Sequence, residues 1–210
     1  MKQLILVGAG SFGREIKAWL SNCKGYNEEW KYEGFIDNDR SRLDSYNRSD
    51  EIIDLIDDYQ PKSDDVFLCT IADQRFRTQY VEVIQSRGGQ FISIIHDTAV
   101  VDSDCFIGVG VFVAPFCTIS CNVTIGNHVL FNSYAAVGHD VKIGDYCHIN
   151  SFTLLGGFAQ IGDGSTIHPN SVIIPKKRIG KGSTIGAGSI VLKNVKENTT
   201  VFGNPAKVIF

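Results

Sequence analysis

Residues 137–150, Val137-Gly-His-Asp-Val-Lys-Ile-Gly-Asp-Tyr-Cys-His-Ile-Asn150 (VGHDVKIGDYCHIN), carry an aliphatic side chain at every sixth place: Val137, Ile143 and Ile149. Extended in both directions, that spacing runs from Ile95 to Val191, and all seventeen positions on it are apolar. Four residues after each of the first sixteen lies a second recurring position, small in fifteen cases, with Lys177 the exception. Glycine often follows the apolar anchor, as in IGNH, IGDY, IGDG and IGKG. A fixed period of six is the signature of a β-helical solenoid, in which each hexad forms one short strand and a corner. Three hexads make a triangular coil of about 18 residues whose interior is filled by the anchors, each worth roughly 1.5–3 kcal/mol when buried. No local alternative uses all seventeen. The small residue is expected where the chain bends, which makes Cys105, Cys117 and Cys147 packing residues.

Before Ile95 the period is different. Residues 4–7 (LILV) read as a buried parallel strand, followed by Gly8-Ala-Gly-Ser-Phe-Gly13 and a helix over 14–22. Further strands are expected at 32–36, 66–71 and 90–95, with helices at 50–58 and 75–86 and a mobile loop over 40–48. The alternation implies a small Rossmann-like α/β domain over 1–94, then a parallel β-helix domain over 95–210. Gly8, Gly10 and Gly13, with Ser11 and Phe12 between them, place a GxGxxG after a strand and before a helix, where backbone N–H groups meet phosphate. Asp37, closing the second strand, stands where such domains hold a ribose. The same glycines equally suit a tight turn with no ligand. About 90 residues is half of what two mononucleotide lobes need, so one nucleotide fits better than NAD.

The bulk composition excludes several classes. A net charge of −3 over 210 residues gives no case for nucleic acid or membrane binding. No apolar run reaches the ~20 residues of a membrane span, and the N-terminal run is too short for a signal peptide. Six irregularly spaced cysteines fit neither a disulfide framework nor a zinc module, so a reducing cytoplasm is expected. Charge is uneven: residues 176–207 hold seven basic side chains and one acid, which suits a phosphorylated ligand or a solvated face.

In a coil of about 18 residues, residue n stacks against n+18 at one strand spacing, roughly 4.8 Å. His139 therefore lies between Cys121 and Gly157 on a corner, exposed, beside a backbone donor and next to Asp140. Asn132 stacks against Asn150, and His148 falls between Leu130 and Thr166. Adjacent residues of a strand point to opposite sides, so Asp140 reaches the imidazole only if the corner turns it back. A histidine here could also be a plain solvated corner residue. Among His128, His139, His148 and His168 no pair is 18 apart, so a zinc site of three converging ligands is not expected.

An opening GAGSFGRE, the hexads with VGHD, and a closing Val201-Phe-Gly-Asn-Pro-Ala-Lys207 together resemble the bacterial sugar acyltransferases of the sialic acid O-acetyltransferase type, including N-acetyltransferases of UDP-linked 4-amino sugars. The resemblance spans essentially the whole chain. It implies a left-handed β-helix, a homotrimer with active sites between subunits, acetyl-CoA as co-substrate without a metal, and a role in bacterial surface glycan biosynthesis. Acyl transfer needs a base for the nucleophile's proton and donors for the oxyanion. His139 matches the family's catalytic base and Asp140 its acidic neighbour. By the same matching Asn132 positions substrate, while His148, Gly157 and Ala187 border acetyl-CoA; Lys177, in the basic segment, faces its phosphates. The resemblance also places a uridine nucleotide sugar near Asp37, Asn38 and Asp39, with Asp73 at the adjacent strand end. Phe12 replaces a histidine frequent in amino-sugar members, which leaves O-acetylation of sialic acid or another sugar open. A non-catalytic nucleotide-binding scaffold is the reading from another class. Cys121, in the His139 column, is the rival nucleophile should an acyl-enzyme form.

Overall fold

The computed structural model describes residues 1–46 and 51–209. The chain divides into two compact units, Met1–Ile94 and Ile95–Phe210.

The first unit is a five-stranded parallel sheet. Its strands are β1 (Lys2–Val7), β2 (Trp30–Ile36), β3 (Ile52–Asp54), β4 (Asp65–Cys69) and β5 (Gln90–Phe91), in the order β3-β2-β1-β4-β5. Helix α1 (Ser11–Trp19) follows β1 and α2 (Gln74–Ser86) follows β4. Leu4–Val7 and Val66–Cys69 are buried throughout, as strands covered on both faces must be. The strand order reverses direction at β1 and β4, and ligands of open α/β sheets gather outside the carboxyl ends at such a point.

One expectation fails here and two others are refined. The helical spacing of residues 50–58 is overridden, because Ile52–Asp54 forms the edge strand β3 beside β2. β-Branched Ile52 and Ile53 suit a pleat better than a helix, and the sheet supplies the partner. Residue 50 itself lies outside the described residues. The loop expected over 40–48 is, through residue 46, a run of turns closed by backbone bonds such as Arg42 N–H to the Asp39 carbonyl, with Leu43 buried; residues 47 and 48 lie outside the described set. The strand expected over 90–95 is split, with β5 completing the sheet and Ile94–Ile95 opening the repeat.

The second unit is a three-sided prism of short strands, nearly all of two residues, in sheets of six, five and eight strands. Pairing between coils is parallel and each residue meets the one 18 further on, as in Ala136↔Leu154, Lys142↔Gln160 and His148↔Thr166. The anchors from Val113 to Val191 are buried. The last coil is shorter by two residues, with Thr184 facing Thr200 and Ile179 facing Val195.

Three devices explain the hexad. The first is a left-handed backbone residue at every corner: positions 110, 116, 122 and so on every six residues to 188 all have positive φ. Four of these are glycine, but Phe116, His128, Tyr134, Tyr146, Phe152 and Phe158 are not. The second is the small position directly after it. Its side chain enters the prism at the corner and bonds the carbonyl fifteen residues ahead, as in Ser165 Oγ to Gly180 (2.9 Å) and Ser171 Oγ to Gly186 (2.9 Å). Cys117 and Cys147 make the thiol version to Asn132 and Gly162. The third is the glycine after the anchor: a Cβ on Gly144 would lie 2.7 Å from the Asp163 backbone N.

Candidate functional sites

In the first unit a cavity of about 480 Å³ opens at the carboxyl ends of β1, β2 and β4. Gly8, Gly10, Ser11, Phe12, Asp37, Asn38 and Asp39 line it, and Arg42, Ile56, Thr70, Phe76 and Tyr80 join them. The glycines differ in why they are there. Gly8 has φ +102, and a Cβ on Gly13 would strike the Gly8 carbonyl oxygen, so both are demanded by the turn. Gly10 has ordinary φ (−63°) and open space where a Cβ would stand. It is also the N-cap of α1, and among the described residues no side chain caps that helix. An uncapped helix start bordering a cavity is a place for an anion.

The acidic residues also divide. Asp37 is buried, its Oδ2 accepting from Ala9 N–H (2.8 Å) and its Oδ1 from Asp39 N–H (2.9 Å). Its carboxylate ties the glycine loop to β2. Asp39 is half-exposed; Oδ1 accepts from Ser41, which holds its pKa below the usual carboxylate value, and Oδ2 lies 3.4 Å from Arg42 Nε. Asn38 pairs with Asp57 through both ends of its amide. Asp73 caps α2, accepting from the N–H groups of Arg75 and Phe76, and is not among the residues lining the cavity. Arg42, Phe76 and Tyr80 were not singled out from sequence. Phe76 and Tyr80 are set by the first turns of α2, whose capping Asp73 is the signal that could have located them.

In the second unit the predicted residues fall on two edges of the prism. His139 and Asp140 occupy the corner after strand Ala136–Val137. Asp140 has φ 60°, and its Oδ2 sits 2.8 Å from His139 Nδ1. The left-handed turn is what brings neighbouring side chains together. The imidazole is 54% exposed, Phe158 stands edge-on to it at 5.1 Å, and a Cβ on Gly157 would lie 2.7 Å from Nε2. Only glycine at 157 leaves that nitrogen clear. Further along the same edge, Lys176 N–H bonds the Gly157 carbonyl and half-buried Lys177 follows it in the small-residue position.

Asn132 lies on the preceding corner, with the strand Ala136–Val137 between it and His139. Its Oδ1 is 3.2 Å from His148 Nε2 and its Nδ2 is 3.4 Å from Asn150 Oδ1. His148 is buried on strand His148–Ile149. Ala187 belongs to the Asn132 edge, three coils on, next to left-handed Gly188. The outward residues of the face between the two edges include Val100, Ala136, Leu154, Val172 and Ile190, and the stacked rings of Phe116, Tyr134 and Phe152 flank it. Among the described residues no cluster of three or more His, Cys, Asp or Glu side chains could hold a metal ion, and no helix is long and apolar enough to cross a membrane.

Two family models match the chain: the PglD N-terminal domain over residues 3–84, and the bacterial transferase hexapeptide (six repeats) over 122–157 and 158–196. No curated protein matches it in sequence. Among solved structures it is similar to a His→Asn mutant of perosamine N-acetyltransferase from Caulobacter crescentus in complex with CoA and GDP-perosamine, at 21% identity, TM-score 0.89, and coverage of 100% of this chain and 98% of that one. It is also similar to the acetyltransferase domain of PglB from Neisseria gonorrhoeae (23%, TM-score 0.85, full coverage of both). A third is WeeI from Acinetobacter baumannii (25%, TM-score 0.84, full coverage of both).

Proposed function

We infer that this chain, which belongs to the hexapeptide-repeat sugar acyltransferases carrying a PglD N-terminal domain, transfers the acetyl group of acetyl-CoA to an amino group of a nucleotide-linked sugar. The observation that carries the reading is the His139–Asp140 pair, held by a left-handed corner against a glycine that leaves Nε2 clear. Similar folds hold CoA with GDP-perosamine, or acetyl-CoA, in solved complexes.

The geometry supports direct attack on the thioester. Asp140 accepts from His139 Nδ1–H, which leaves the Nε2 lone pair as the base. The acceptor nitrogen attacks the thioester carbonyl carbon while Nε2 takes its proton. The oxyanion that forms is stabilised by the Gly157 N–H, and collapse expels the CoA thiolate, which recovers the proton from the imidazolium. Cys121 takes no part in this route. CoA runs along the His139 edge, its phosphates toward Lys176 and Lys177, two coils or roughly 9–10 Å away.

The split of residues over two edges favours an assembly. Within one chain a whole prism face separates His139 from Asn132, His148 and Ala187. A head-to-tail ring of three copies, packed through the apolar face between those edges, brings one edge of each copy against the other edge of the next. The catalytic pair and the Asn132–His148 pair then belong to one site made by two subunits.

A second reading, O-acetylation of a sugar such as sialic acid, is favoured by one observation. Phe12 lines the cavity as a buried hydrocarbon and offers no hydrogen bond to an amino sugar. Thiol release from acetyl-CoA, followed with UDP-linked 4-amino sugars, UDP-N-acetyl sugars and sialic acid, decides between them. Release with an amino sugar alone is the expected result. His139→Ala is expected to cut turnover by about 10²–10⁴-fold with CoA affinity within a few-fold. Undiminished turnover in that variant removes His139 as the base, and release only with hydroxyl acceptors moves the reaction to oxygen. No release with any acceptor, and no acetyl-CoA binding, returns the chain to a nucleotide-binding scaffold.

A further inference from the structure

Phe76 is a large apolar side chain left 52% exposed on the first turn of α2. Its backbone is already fixed, since its N–H bonds Asp73 Oδ1 at 3.2 Å. Its ring lies 18° from parallel to the Tyr80 ring at 6.5 Å between centroids, and both line the cavity at the carboxyl end of the sheet. Folding gains little from a ring so exposed, and a solvated residue would serve the helix better there.

The rest of the cavity assigns its parts by charge. Gly10 and the start of α1 offer N–H groups, so this end suits phosphate; the nearby Arg42 guanidinium is shared between Asp37 (3.6 Å) and Asp39 (3.4 Å). Asp39, half-exposed with its Oδ2 turned toward Arg42, suits a ribose hydroxyl. What is left is the aromatic wall of Phe76 and Tyr80 over buried Ile56. Among the described residues the cavity wall holds one side-chain amide, and most of its capacity is committed: Asn38 Oδ1 accepts from Asp57 N–H, and Nδ2 donates to Asp57 Oδ2 and to the Tyr80 hydroxyl.

We propose that Phe76 is the stacking platform for the nucleobase of the acceptor nucleotide, and that the site takes the base by its π face and not by an edge. This rests on the nucleotide-sugar reading above. Every base has a π face, so a stacked site accepts a pyrimidine or a purine, whereas an edge-reading site rejects one of them strongly.

The test is equilibrium binding of UDP, GDP and ribose 5-phosphate to the full chain and to Phe76→Ala and Phe76→Trp. Wild type is expected to bind UDP and GDP within about fivefold of each other, with Phe76→Ala weakening both by about tenfold or more. Ribose 5-phosphate, which has no base, is expected to bind the two proteins equally. Phe76→Trp restores nucleotide affinity, and the added indole is quenched by UDP but not by ribose 5-phosphate. Nucleotide binding unchanged by Phe76→Ala overturns the platform while leaving the pocket intact. So does an equal loss for ribose 5-phosphate, which would mean general damage. A preference above about 100-fold for either base overturns recognition by the π face. If wild type binds neither nucleotide, the nucleotide-sugar reading fails and this proposal falls with it, an outcome distinct from the others.

Discussion

The two units of this chain are stabilised by the same kinds of contact, yet they differ in how far one residue predicts the surroundings of another. In the prism, position n faces n−18 and n+18, and that arithmetic fixes which side chains stack, which face inward and which glycines are obligatory. In the α/β unit no such rule exists. Strand β3 pairs with β2 across a stretch that local spacing alone would make helical, and the neighbour that decides the matter, Phe35, is seventeen residues from Ile52. A repeat turns long-range structure into local pattern; an open α/β sheet does not.

That contrast can be broken by comparing isoleucines. Ile149 fills the prism and is fully buried, whereas Ile53 is half-buried on the edge strand β3. Ile149→Ala is expected to cost about 2–5 kcal/mol, because the coils above and below cannot close the cavity without breaking register. Ile53→Ala is expected to cost less than about 1.5 kcal/mol. Chemical denaturation of the two variants measures both. Equal losses would mean that the edge strand contributes to the first unit as firmly as a coil does to the second.

Glycines sharpen the comparison at the sites. Gly157→Ala puts a methyl group 2.7 Å from His139 Nε2, and the imidazole, being an exposed side chain, moves aside. Turnover is expected to fall about 100-fold, near 2.7 kcal/mol in the barrier, with the melting temperature unchanged. Gly144→Ala, whose new methyl meets backbone, is expected to do the reverse: lower stability, and lower activity only as far as protein is lost. In the α/β unit the same separation is made between Gly13 and Gly10. Gly13→Ala is expected to destabilise, while Gly10→Ala leaves stability within about 0.5 kcal/mol and weakens UDP binding several-fold. Loss of stability in Gly10→Ala would mean that this glycine, too, merely closes the turn.

These glycines also mark what was legible in the sequence. The prism, its register and the stacking of His139 against Gly157 follow from counting, because the period is strict over seventeen anchors. The meeting of His139 with Asp140 does not follow from alternation along a strand. It needs the positive φ at 140, which could have been read from the Asn, Asp and Gly residues that recur every six positions at corners 110, 122, 140, 164, 170, 182 and 188. In the α/β unit the glycine loop and Asp37 were visible, but not that Asp37 spends both oxygens on backbone N–H groups. Nor were Phe76 and Tyr80 visible as cavity walls, since their placement depends on where Asp73 starts α2.

The cysteines give the finest test, since one residue type serves both units and both sides of the repeat. Cys117 and Cys69 are buried, and burial pushes each thiol up to about 11. At pH 8 their thiolate fraction is therefore on the order of a thousandth, and the thiols are shielded as well. Cys147 is buried in the small-residue position too, and Cys23 is buried in the first unit. Cys105 holds the same position as Cys117 but lies in the first complete coil and is half-exposed, with its pKa raised mainly by burial. Cys121 lies on the His139 edge, also half-exposed. Titration of the native chain with a chromogenic disulfide at pH 8 is expected to label Cys121 fastest, Cys105 more slowly, and the other four only on unfolding. Raising the pH to 9 is expected to speed Cys105, because the thiolate of a group titrating above the working pH grows about tenfold per pH unit. If Cys117 reacts as fast as Cys105, the coils open on the timescale of labelling, and the register counted from the sequence describes an average and not a fixed stack.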